Sequence, residues 1–150
     1  MADIKTKDAR SRNMAAIRSK ETKPEIYFRK LLFSRGYRYR KNVPYVFGHP
    51  DIYLGKYRTA IFVHGCFWHR HQGCKFAYLP KSNMEFWKKK FMRNVSRDRR
   101  VRKTLFDEEI KCLIVWECTI KKMRKNSDME LKIIEKVIDF LKSEQLYLEL

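Results

Sequence analysis

Apolar and polar positions along the chain divide it into helical and extended stretches with few ambiguous joins. Thr22-Lys23-Pro24-Glu25 has the form of a helix start: the Thr22 hydroxyl can accept the amide three residues on, Pro24 suits a first turn, and Glu25 can bond back. Ile26, Phe28, Leu31 and Leu32 then make a partly amphipathic stripe, and Gly36 is a natural stop. Residues 37–45 alternate aromatic and basic side chains, which predicts an exposed strand leading into the turn at Gly48-His49-Pro50. A short strand follows over 51–54, turned by Gly55-Lys56. The unbroken apolar run at 59–66 predicts a buried central strand.

Pro80 precedes a second helix, opened by Ser82-Asn83-Met84-Glu85 and running to about Glu109. Residues 111–118 read as the second central strand. Ser127-Asp128-Met129-Glu130 caps a last helix with Leu131, Ile134, Val137, Ile138 and Leu141 on one face. The predicted order is α, β hairpin, β, α, β, α: an α/β fold with a mixed central sheet flanked by helices.

Composition sharpens this. The chain has 150 residues, with 35 Lys plus Arg against 17 Asp plus Glu, a formal charge of +18, and a pI near 10.0. With 44% apolar and 14% aromatic residues, it has enough apolar surface for a core, which excludes disorder as the whole account. No apolar run approaches the roughly 20 residues that span a bilayer, and the first residues lack the apolar centre of a signal peptide. A soluble intracellular protein is therefore expected. Residues 1–20 hold six basic and two acidic residues and read as a basic arm that an anion would order, with 21–150 forming a single domain. An excess of positive charge on this scale opposes folding by self-repulsion and makes DNA or RNA the expected partner.

Four cysteines in a reducing compartment are poor disulfide material, so metal binding or packing must account for them. Cys66, His69, His71 and Cys74 fall within nine residues, and Cys112 or Cys118 on the other central strand can complete a tetrahedral zinc site. Strand parity does not separate Cys112 from Cys118, although Cys118 lies at the strand end, where a loop can gather. Three thiolates and one imidazole would leave no open position on the ion, which points to a structural site.

Phosphodiester hydrolysis needs a cation to neutralise charge on phosphate oxygens and a base to activate water. Pro50-Asp51, followed by a strand, a turn and a second strand, is similar to the opening of many metal-dependent nucleases of the PD-(D/E)xK type. The usual Glu-x-Lys is missing; Phe62-Val63-His64 occupies its place, so that His64 stands where Lys is expected. On the second helix Trp87, Phe91, Val95, Val101 and Leu105 recur at helical spacing, and Asp98 falls on that apolar stripe. A carboxylate facing a core needs a partner, either an Arg or a His. His69 is the favoured one, because a His–Asp couple orients an imidazole and makes it a better base. Phe67-Trp68 and Phe86-Trp87 lie beside these residues. Some must serve the core, but bulky aromatics here can also act as wedges that open a base stack, at least cost where the pair is mismatched.

His64-Gly65-Cys66-Phe67-Trp68-His69, Phe86-Trp87, Asn94-Val95, Arg97-Asp98-Arg99-Arg100 and Val115-Trp116-Glu117-Cys118 together closely resemble the very-short-patch-repair DNA mismatch endonucleases. The resemblance extends from Arg12-Asn13-Met14 and residues 19–25 through Cys118, most of the chain. It implies a restriction-endonuclease-like fold, a structural Zn²⁺, and Mg²⁺-dependent nicking of one DNA strand beside a T:G mismatch. Asp51 would be the principal Mg²⁺ ligand, with the Val63 carbonyl as a second. Glu25 and His64 would hold waters of that ion, and His69, oriented by Asp98, would be the general base. Cys66, His71, Cys74 and Cys118 would bind Zn²⁺. Phe67, Trp68 and Trp87 would intercalate from the major groove, with Met14 approaching through the minor groove. The sequence departs from the best-known members in placing two residues, Gln72-Gly73, between the zinc His and the next Cys, and in carrying Arg70 where a His-rich stretch is usual.

The resemblance further implies a cytoplasmic protein, associated with the nucleoid when on DNA and working with repair proteins. A single nick needs one active centre, so a monomer suffices. Two alternatives stand beside it: a restriction-type or structure-specific endonuclease of the same fold, and a non-catalytic, zinc-stabilised DNA-binding protein.

Overall fold

The computed structural model describes residues 21–150, so the basic arm and Met14 lie outside the described residues. Helix α1 spans Lys23–Ser34 and is capped as its sequence requires: the Glu25 amide donates to Thr22 Oγ1 and the Glu25 carboxylate accepts from the Thr22 amide. Gly36, at φ +88°, takes the left-handed turn that ends it. The strands are β1 (Arg40–Lys41), β2 (Ile52–Leu54), β3 (Thr59–His64), β4 (Lys111–Trp116) and β5 (Tyr147–Glu149). The remaining helices are α2 (Met84–Asp107), α3 (Glu117–Lys125) and α4 (Ser127–Lys142).

The strands form one mixed sheet in the order β1-β2-β3-β4-β5, with β1–β2 and β2–β3 antiparallel and β3–β4 and β4–β5 parallel. Alternation of side chains gives the sheet two apolar faces. On one, Ile52, Leu54, Ile61, Leu113 and Val115 pack with Phe28 and Leu32 of α1, Ile120 and Met123 of α3, and the buried stripe of α4. On the other, Ala60, Phe62, Cys112, Ile114 and Trp116 pack with Leu105 and Val101 of α2 and with Val43, Val46 and Cys66 from loops. His64 shares the parity of Ala60 and Phe62. The parallel register pairs it with Trp116, so the two central strands end level with each other.

Several expectations are corrected. The alternating stretch 37–45 yields only the two-residue β1, because Asn42 adopts φ +50° and Pro44 has no amide to donate. The first central strand stops at His64, two residues early, where a turn starts at Cys66. The second stops at Trp116, and Glu117 and Cys118 already belong to helix α3. Cys118 therefore has no strand parity to compare with Cys112. Asn83 sits in the left-handed region and makes no side-chain cap for α2; Asn126, not Ser127, caps α4, accepting from the Asp128 and Met129 amides. Leu131 is exposed, and Ile133 and Phe140 take places in the α4 stripe beside Ile134, Val137 and Leu141. Strand β5 was not anticipated. It pairs with β4 through contacts that only the folded chain brings together.

Candidate active site and metal centre

The site begins where β2 meets β3. Asp51 immediately precedes β2, and its Oδ2 accepts a hydrogen bond from the Val63 amide at 2.7 Å. Glu25, in the first turn of α1, is 1% exposed. One of its oxygens is held by the Thr22 amide, while Oε1 is buried with no hydrogen-bond partner among the described residues. Burial pushes the Asp51 carboxyl up to about 8; the Val63 amide opposes that shift and the charge of Glu25 adds to it. Two acids facing each other in a low-dielectric place, one with an unpaired oxygen, are the donor set of a hard divalent cation.

Val63 joins this acid pair to a second group. His64, the next residue and the last of β3, is 8% exposed. Burial pushes its imidazole down to about 3, aided by neighbouring His69, so it stays neutral. Its ring stacks on that of His69, with centroids 3.8 Å apart and planes 3° from parallel. His69 Nδ1 lies 2.7 Å from Asp98 Oδ2. With its Nδ1–H donated to the carboxylate, His69 presents Nε2 as its basic nitrogen. Asp98 thus obtains the partner that its place on the α2 stripe requires, and the partner is His rather than Arg. Glu25, Asp51, Val63, His64, His69 and Asp98 form one continuous line of contacts and facing charges.

The third group lies beside the second. Cys66, His71, Cys74 and Cys118 offer donor atoms that all fall within 4.8 Å of one another, a cluster able to hold a metal ion. His71 Nδ1 is 3.6 Å from Cys66 Sγ and 3.4 Å from Cys118 Sγ, and its ring stacks on Trp116 at 4.2 Å. Cys112, the other cysteine open from sequence, is buried on β4 and does not join the cluster. The two-residue spacer is accommodated because Gly73 adopts φ +75°, and the Cys74 amide still reaches the His71 carbonyl at 3.2 Å. Burial pushes the Cys66 thiol up to about 12. Crowded thiols of this kind are stabilised as thiolates by a soft or borderline cation, and three sulfurs with one imidazole suit tetrahedral coordination. His69 lies between two members of the cluster, and its amide bonds the Gly65 carbonyl at 3.1 Å.

Aromatic rings continue from this loop onto α2. Phe67 packs against Trp68, Tyr78, Trp87 and Phe91 with centroids 5.1 to 5.5 Å away. Phe86 and Tyr78 form an exposed rim. Two positioning residues were missed from sequence. Asn94 Nδ2 donates to the Trp68 carbonyl at 3.0 Å; the available signal was a polar residue on the same apolar stripe as Asp98. Arg70 donates to the carbonyls of Phe67, Ala77 and Tyr78 and lies 3.8 Å above Phe91, so the departure at this position ties the aromatic loop to α2.

The family model described as DNA mismatch endonuclease Vsr matches residues 2–75. The type II nicking enzyme V.NmeAIP of Neisseria meningitidis serogroup A is 48% identical over 121 residues, covering 81% of this chain and 86% of that protein. The DNA mismatch endonuclease Vsr of Escherichia coli is 40% identical over 131 residues, covering 87% and 83%. The type II nicking enzyme V.XorIIP of Xanthomonas oryzae is 41% identical over 120 residues, covering 80% and 88%.

The acid pair sets a pH dependence. Native Asp51 keeps its proton up to about 8, whereas an unfolded one releases it near 3.8, so the folded state binds more protons between those values and stability falls as pH rises through that window. In buffer free of added divalent cation, Asp51→Asn is expected to remove that fall and to unfold in urea later than the wild type at pH 8, by a few kcal/mol on the order of the shift, but not at pH 4. Equal midpoints at pH 8 would contradict the buried-acid account. Cys118→Ser is expected to lose bound metal by elemental analysis and to melt earlier, whereas Cys112→Ser keeps its metal; the reverse pattern would overturn the cluster assignment.

Proposed function

The chain belongs to the Vsr family of DNA mismatch endonucleases and is a DNA endonuclease; from that premise we propose that it uses Mg²⁺ to nick one strand of duplex DNA at a T:G mismatch, initiating very short patch mismatch repair. The observation that carries the proposal is the continuity of the site: the Asp51–Val63 hydrogen bond and the stacked His64–His69 pair put an acid pocket next to a carboxylate-oriented imidazole.

In this reading Asp51 and the Val63 carbonyl would hold the ion, and Glu25 and His64 would hold waters around it. The buried, unpaired Oε1 of Glu25 and the raised Asp51 carboxyl fit such an occupant, because a cation satisfies both. Bound Mg²⁺ supplies charge neutralisation on the scissile phosphate and acidifies water. His69 Nε2 takes the proton of the attacking water, and the Asp98 carboxylate stabilises the imidazolium that results. His64, kept neutral by burial, adds no charge that would oppose protonation of its stacked neighbour.

Zn²⁺ is the ion proposed for Cys66, His71, Cys74 and Cys118, where it would fix the loop bearing His69 and the aromatic wedge residues. Phe67, Trp68 and Trp87 are proposed to enter the base stack, and Met14 to approach from the minor groove. A weakly stacked mismatch is cheaper to open than a matched step, which favours the wedge at such sites. The surplus of 35 basic over 17 acidic residues supplies affinity for the backbone. Among the described residues no helix is long and apolar enough to cross a membrane, and the protein is proposed to act in the cytoplasm as a monomer, joining the nucleoid on DNA and handing the nick to repair proteins.

Duplexes with a single T:G pair in varied contexts, and their fully paired counterparts, labelled on each strand, are expected to show Mg²⁺-dependent nicking of one strand of the mismatched set alone. His69→Ala should slow that nicking by about 10²- to 10⁴-fold while retaining DNA binding. Cutting of both strands of paired duplexes would replace mismatch repair with a restriction-type activity, and unimpaired nicking by His69→Ala would remove it as the base.

A further inference from the structure

A cleft of about 660 Å³ opens between the second half of α1 and the segment carrying β1. Arg29 and Lys30 of the helix and Arg38, Arg40 and Lys41 of the segment line it, and among the described residues no carboxylate does. One wall is fastened to the acid pocket. The Asn42 amide donates to the Asp51 carbonyl at 3.0 Å and the Val43 amide to the Pro50 carbonyl at 3.2 Å, so the backbone that begins the cleft also positions Asp51.

The charges in the cleft are under-compensated. Glu21 is shared between Arg29 at 2.6 Å, Asn42 at 2.9 Å and Lys41 at 3.5 Å, a crowd of donors, Arg29 foremost, that pulls its carboxyl down to about 2. Arg29, only 9% exposed, still has an Nη1 with no hydrogen-bond partner among the described residues. Arg38 is braced over the ring of Phe33 at 4.2 Å, which holds its guanidinium at the cleft instead of leaving it free in solvent. Five cations gathered at one concave surface, with Glu21 the one carboxylate among the described residues bonded to them, repel one another, and a polyanion removes that cost. Phosphates reached in this way position a nucleic acid without reading its sequence.

We propose that this cleft is a second DNA-binding site, which takes backbone phosphates of the duplex flanking the nick on the side where the strand leaves Asp51 toward β1. The inference rests on the endonuclease reading above and adds to it a contact outside the mismatch. It makes affinity depend on the length of one flank and not the other, and it is independent of base sequence in that flank.

The side chains of Arg38 and Arg40 are exposed and lie outside both buried clusters, which makes them suitable for replacement. Binding of mismatched duplexes trimmed on either side is measured for the wild type, for the double variant Arg38→Ala, Arg40→Ala, and for the charge-restoring double variant Arg38→Lys, Arg40→Lys, with circular dichroism confirming the fold. Trimming one flank is expected to weaken wild-type binding and trimming the other to leave it unchanged. The alanine variant should lose that asymmetry, and its plot of log affinity against log salt should flatten by about two, near 0.9 per phosphate contact; the lysine variant should recover the slope. An alanine variant with the wild-type slope and flank dependence overturns the proposal. Wild-type nicking at T:G, read on the same duplexes, separates the two ideas: nicking without flank asymmetry refutes the cleft alone, and asymmetry without nicking refutes the mismatch reading alone.

Discussion

Two acids enclosed at one place, each held by just one backbone amide, Val63 for Asp51 and Thr22 for Glu25, are the constraint around which the site is built. Glu25 and Asp51 come from different elements and face each other below the sheet end, where water is too scarce to screen them. Left alone, the pair forces Asp51 to keep a proton, because burial and the charge of Glu25 both oppose its ionisation. Ionising both acids near neutral pH therefore costs the fold stability. Core side chains could fill the same space with less cost, so the acids are understandable as an arrangement kept for a cation.

The sheet carries that constraint to the rest of the chemistry. Parallel pairing of β3 with β4 brings His64 beside Trp116 at one end of the sheet, and everything needed gathers there: the turn from Cys66, the first turn of α3 with Cys118, and the flank of α2 with Asp98 and Asn94. The two imidazoles of greatest interest are each held by a ring, His69 by His64 and His71 by Trp116. One loop therefore carries three of the four residues of a possible metal cluster, the His69 proposed as base and two of the aromatics proposed as a wedge. Arg70 adds three backbone contacts to it from within.

Much of this was legible before the structure because it depends on local rules. The capping box at Thr22 and Glu25, the apolar runs of β3 and β4, and the misfit of Asp98 on an oily stripe are each decided within a few residues. The partner of Asp98 followed from chemistry: a carboxylate in a core needs a donor, and His69 was near a cluster able to hold it. Less was legible where distant contacts decide. The edge strand β5 exists because β4 offers it a ladder; Cys118 leaves its strand because Glu117 starts a helix; and β1 is cut short by the left-handed Asn42, which alternation of aromatic and basic residues conceals. Glu25 carried both readings from the start, a capping role from its spacing to Thr22 and a place beside the ion from the family resemblance.

Mn²⁺, a paramagnetic substitute for Mg²⁺, offers the most direct test of whether the acid pocket and the imidazole pair are one site. Titrated into the protein and observed through the histidine ring signals, it should broaden His64 and His69 as it binds, and Asp51→Asn should abolish that broadening. Saturable Mn²⁺ binding that leaves the His69 ring sharp would separate the acids from the base and contradict the account.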